Sequence, residues 1–175
     1  MRIALSSATA ALLSAIVAST GCATLRAADK RASDLSSYFA QHPFQQTCDA
    51  LWPSALRVAA TRGFPLSAKD RQILGEVPEG IMAQVISAAT QTYRTQDGGL
   101  VTETDWNRES GTRLRLNATP AGAQGCRVRY DLIGGGITTA DEQQFGPDWN
   151  MALELLQAVD PRAAAALEAG MPASG

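Results

Sequence analysis

The fold is decided by residues 100–132, LVTETDWNRESGTRLRLNATPAGAQGCRVRYDL. Their side chains alternate with a period of two. Leu100, Thr102, Thr104 and Trp106 alternate with Val101, Glu103 and Asp105. Thr112, Leu114 and Leu116 alternate with Arg113, Arg115 and Asn117, and Cys126, Val128, Tyr130 and Leu132 with Arg127, Arg129 and Asp131. Successive side chains of an extended chain point to opposite faces, so each run has one mainly apolar side and one charged side. Asp97-Gly98-Gly99, Glu109-Ser110-Gly111 and Pro120 through Gly125 supply turn residues before and between the runs. Three neighbouring strands with short connections make an antiparallel meander covered on one side.

Helices on either side of this stretch supply the cover. Thr47 or Asp49 caps a helix running to about Arg62, with Leu51, Ala55, Val58 and Ala59 on one stripe and Trp52 and Leu56 beside it. Pro53 must then lie near the first turn, because deeper in the helix it removes a hydrogen bond. Gly63 is the left-handed stop. Phe64-Pro65-Leu66 reads as a short extended piece at an edge or a strand entrance, and Lys69 to Gly80 as polar and turn-rich. Residues 81–93 carry both a helical face (Ile81, Val85, Ile86, Ala89) and an alternating one, and read as a helix turning extended near Thr90.

Gly134-Gly135-Gly136 ends the sheet. Asp148 caps a closing helix with Trp149, Ala152, Leu153, Leu156 and Val159 inward, and Asp160-Pro161 starts a short alanine-rich helix stopped by Gly170 and Pro172. The expected class is α+β: a helix, an antiparallel meander of at least three strands, and C-terminal helices packed on one face of the sheet. That order, over roughly residues 44–169, resembles the helix-grip-like domains of small envelope lipoproteins, including accessory lipoproteins of outer-membrane protein assembly.

The opening of the chain carries a different message. Arg2 precedes a mostly apolar run that closes on Ser19-Thr20-Gly21-Cys22. The run is roughly 16 residues, short of the ~20 of a spanning helix, and Ser6, Ser7, Thr9 and Ser14 dilute it. A positive start, an apolar middle and small residues at a cleavage point are the order of a secretory signal. The cysteine after Ser-Thr-Gly resembles the lipobox of bacterial lipoprotein precursors. The resemblance implies cleavage before Cys22, diacylglycerol and palmitate-type chains on Cys22, and a protein attached to a membrane through that lipid. Ala23, where an aspartate favours inner-membrane retention, points to the outer membrane, facing the periplasm. Ser19 stands where lipoboxes usually carry an aliphatic residue, so an ordinary cleaved signal and a soluble periplasmic protein stay open.

The expected organisation is a signal peptide over 1–21, a lipid-anchored tether over 22–43, one domain over 44–170 and a tail over 171–175. The tether mixes charged residues and serines with little apolar periodicity, apart from a short stretch, Leu35 to Ala40, that could turn helical. Of 175 residues, cleavage before Cys22 leaves 154, enough for one domain with a sizeable core. Arg2 is the one charge removed, so 14 of the 15 basic residues remain against 17 acidic. That near balance argues against nucleic acid as a partner.

Three cysteines fit an oxidising compartment. With Cys22 taken by lipid, Cys48 and Cys126 form an even pair, and one disulfide between them is expected; two reduced thiols packed as small apolar groups is the alternative.

The single histidine, His42, falls beside the tether, and CxxC, HExxH and GxSxG patterns are absent from the sequence. The expectation is therefore no catalytic residue, no metal and no cofactor. Arg113, Arg115, Arg127 and Arg129 share the outer face of two strands and either form a docking patch for an acidic partner or pair with Glu103, Asp105 and Asp131. Trp52, Trp106, Tyr130 and Trp149 either line a cavity between sheet and helix or anchor the core. The functional expectation is a non-enzymatic, lipid-anchored protein that presents a surface to another envelope component. The alternative is a periplasmic small-molecule or lipid-binding module using that cavity.

Overall fold

The computed structural model describes residues 26–75, 92–104, 106, 107, 109–134 and 143–171. The helix expected within residues 81–90, the glycines after Gly134 and the lipobox-like segment lie outside them.

Five antiparallel strands form one sheet in chain order: β1 (Tyr93–Arg94), β2 (Leu100–Glu103), β3 (Thr112–Pro120), β4 (Cys126–Gly134) and β5 (Gln143–Pro147). Leu100 sits opposite Ala118, Thr102 opposite Leu116, Leu116 opposite Tyr130 and Ala118 opposite Val128. Direct partners share a face, so this register gathers the apolar set on one side, as the alternation predicts. The other side carries Glu103, Arg115 and Asp131 in one row and Asn117 and Arg129 in the next. The sheet exceeds the three expected strands at both edges. Instead of stopping at Gly134, it continues through β5, whose register against β4 is shifted between Leu132 and Ile133.

Helix α2 (Cys48–Thr61) starts at Thr47, whose side chain accepts from the Ala50 amide at 3.3 Å. It buries Leu51, Trp52, Ala55, Leu56, Val58 and Ala59. Pro53 lies in the second turn, not the first, so the helix runs on without the bond Pro53 cannot donate to the Asp49 carbonyl. Gly63, at φ +77°, ends it. Phe64 and Leu66 then dip into the core without forming a strand. The turn-rich segment after them begins with a short helix, α3 (Ala68–Ile73), capped by Ser67.

At the far end, α4 (Trp149–Val159) is capped by Asp148, which accepts from the Asn150 and Met151 amides, and α5 (Pro161–Ala169) by Asp160. Helix α2 packs on β2, β3 and β4, and α4 on β4, α2 and α5. The core lies between the sheet and these helices, with Leu51, Leu56, Leu114, Leu116, Tyr130, Met151 and Leu155 at most 1% exposed.

The tether expectation is corrected. Residues 26–41 are helical (α1), and Leu35 and Phe39 on this helix are 1% and 6% exposed. The Phe39 ring stacks on Phe44 at 5.8 Å and on Trp149 at 6.1 Å. A stripe of two apolar residues four apart is too narrow to announce a buried helix, but two aromatic partners from elsewhere in the chain complete it. Structured chain therefore extends back to residue 26, well before Phe44. Among the described residues no helix is long and apolar enough to cross a membrane.

Candidate functional site

Cys48 opens α2 and Cys126 opens β4, and the two are joined in a disulfide with their Cα atoms 5.1 Å apart. Phe44 is held to the same spot by a pair of backbone bonds, its amide to the Cys126 carbonyl at 2.9 Å and the Cys126 amide to its carbonyl at 3.0 Å. The crosslink thus ties the α1–α2 connection to the start of a central strand. Cys126 is fully buried and Cys48 nearly so.

A second polar centre went unread in the sequence. Asp70 of α3 is 1% exposed, and its carboxylate accepts from the hydroxyls of Ser67 (2.8 Å), Thr102 (3.1 Å) and Thr92. Thr92 in turn accepts from the Trp52 indole at 3.3 Å. Ser67 also takes the Asp70 amide at 3.0 Å, which makes residues 67–70, Ser-Ala-Lys-Asp, a helix-start signature that a closer search for caps would have found. A buried carboxylate needs such donors to offset its lost hydration. With Ser67 equally buried, the cluster is a fastening between α3, the sheet and α2.

Of the four residues that either line a cavity or anchor the core, two are core residues. Tyr130 is 1% exposed and donates its hydroxyl to the Ala55 carbonyl at 3.2 Å; burial, with the Glu154 charge adding to it, pushes its pKa far above the usual phenol range. Trp52 is a core residue held by Thr92. Trp149 is half-buried against Phe39. Trp106 is corrected: it is 39% exposed, with the Arg113 guanidinium 5.7 Å over its ring. Strand β2 ends at Glu103, so the alternation that pointed Trp106 inward no longer applies three residues beyond it.

On the outer sheet face Arg115 bonds Glu103 at 2.6 Å, Arg113 approaches the same carboxylate at 3.2 Å, and Arg129 bonds Asp131 at 2.6 Å. Asn117 donates to Asp131 at 3.2 Å. Pairing with acidic residues, one of the two readings of this arginine set, accounts for three of its four members, Arg113 and Arg115 across strands and Arg129 along its own strand. Arg127 is exposed opposite Thr119.

His42 ends α1, exposed, its ring stacked on Tyr38 at 4.5 Å and its Nδ1 bonded to the Tyr38 carbonyl at 3.1 Å. It borders a surface groove of about 240 Å³ with Phe44, Leu156, Val159 and Ala163. A second groove, about 320 Å³, opens beside the start of α1 between Ala28, Leu35, Leu132, Phe145 and Trp149. Neither holds a nucleophile with a positioned base, and no group of three or more His, Cys, Asp or Glu among the described residues could hold a metal ion. Known family models, curated proteins and solved structures offer no match to this chain.

Proposed function

We propose that this chain is a non-enzymatic, lipid-anchored protein of the bacterial cell envelope, held at the outer membrane through Cys22 and presenting its domain to another envelope component. The Cys48–Cys126 disulfide carries the reading. Disulfides persist in oxidising compartments and are rare in the cytosol. The bridge also uses two of the three cysteines, leaving as the odd one Cys22, which closes the apolar run behind Ser19-Thr20-Gly21. A thiol at that place is the one a lipid would take. The polar groups that chemistry would require are engaged in structure: Asp70 and Ser67 with each other and with Thr102, Glu103 with Arg115, Asp131 with Arg129.

Intact mass of the native protein extracted from membranes, before and after reduction, tests this reading. The expected species begins at Cys22, carries diacylglycerol and fatty acyl chains, and gains two hydrogens on reduction. A polypeptide that begins at Met1 with three free thiols refutes it.

A further inference from the structure

Resting on the lipid-anchor reading, we infer that the domain does not stand off from the membrane but sits on it, contacting the bilayer through Phe145 and the groove beside the start of α1. Residues 22–43 read in sequence as a spacer, yet α1 is already helical at residue 26 and is bound into the core by Leu35 and Phe39. Arg31, one turn before Leu35, also approaches Glu168 of α5 at 3.8 Å. Only residues 23–25 separate Cys22 from the first described helical residue. Fully extended, four Cα steps of about 3.6 Å reach at most roughly 14 Å, about twice the thickness of one headgroup layer. An anchor on Cys22 therefore holds the start of α1 against the interface.

The surface found there suits that place. Phe145 is 62% exposed, the most exposed large apolar side chain among the described residues, and it lies on the edge strand β5. Its ring covers Gly134 so closely that a Cβ there would fall 2.2 Å from it. Trp149, Leu132, Ala28 and Ala32 continue the apolar lining. Arg31 and Asp148 supply the charged part of the lining, with Arg31 on the α1 face that carries Ala28, Ala32 and Leu35. Aromatic rings settle at the membrane interface, and long basic side chains reach from there to headgroups. A bare phenylalanine on a sheet edge facing water invites aggregation, whereas one facing lipid does not.

The test uses the full lipidated protein, purified from membranes and reconstituted into phosphatidylethanolamine–phosphatidylglycerol vesicles with bromines high on the acyl chains. In a Phe145→Trp, Trp106→Phe chain, the indole at 145 is expected to emit further to the blue, lose intensity to the brominated lipid and resist acrylamide. The Trp106→Phe chain, which keeps Phe145, supplies a second readout through Trp149. If the protein carries its lipid by mass and floats with the vesicles, yet both reporters are quenched by acrylamide and not by bromine, the contact is refuted while the anchor stands. A protein without lipid by mass removes the anchor and the contact together.

Discussion

Replacing both Cys48 and Cys126 by alanine is the perturbation whose size follows most directly from the structure. The bridge joins residues 78 apart in sequence, and closing a loop of that length in the unfolded chain corresponds to about 4.5 kcal/mol of lost conformational entropy at 25 °C. Both sulfurs sit in the core, Cys126 at 0% and Cys48 at 6% exposure, so the alanines also forfeit some packing. A domain of this size unfolds with an entropy near 0.3 kcal/mol/K, so the thermal midpoint should fall by about 15 °C. The loss has a local signature too. Phe44 is paired by its backbone to Cys126, so amide exchange at those two positions should accelerate before exchange in the centre of β3 and β4 does. The assay is thermal and urea unfolding of wild type, wild type with reductant, and the double variant, followed by circular dichroism, with hydrogen exchange on the first and last. A double variant within 1 kcal/mol of wild type would mean that the unfolded chain already holds these ends together. The loop-closure reasoning would then fail.

Asp70→Ala leaves two buried hydroxyls and the half-buried Thr92 hydroxyl without their acceptor and should cost about 3 kcal/mol by urea unfolding, with Asp70→Asn intermediate; an unchanged midpoint would contradict the fastening role. Tyr130→Phe should cost about 1 kcal/mol at neutral pH, where the hydroxyl bonds Ala55. Because the folded-state pKa of Tyr130 lies above that of the unfolded chain, its contribution is complete below about pH 10 and is lost as pH rises further. Stability measured from pH 8 to 11 should therefore fall less steeply in the phenylalanine variant, by about 1.4 kcal/mol per pH unit above 10, and parallel curves would refute the assignment. Asn107→Ala should lower stability by about 2 kcal/mol in the same assay, since this nearly buried amide bonds the Gly63 carbonyl at 3.1 Å and accepts from the Glu109 amide at 2.9 Å. Glu154→Gln weakens the hydrogen bonds that raise the Arg62 pKa, but both side chains meet water, and the change should stay below about 1 kcal/mol.

The meander, its inward set and the caps at Thr47, Asp148 and Asp160 were legible in the sequence, and so was the pairing of the two cysteines. Trp106 was misplaced because a period-two pattern says which side a residue takes only while the strand lasts, and β2 stops at Glu103. β5 could not be read because Gln143 to Pro147 does not alternate and contains two residues poor in strands. Asp70 was passed over as one charge in a polar stretch, because its main-chain signature is local but its burial is not.

What the residues determined alone is whatever neighbours along the chain decide: alternation, helix starts and stops, and the composition of the opening segment. Tertiary structure decided the rest, because burial is a property of what arrives from elsewhere. Phe39 becomes core when Trp149 stacks on it, Asp70 is fastened by Thr102 from 32 residues away, and the supposed spacer becomes a helix once a hydrophobic surface exists for Leu35 to cover.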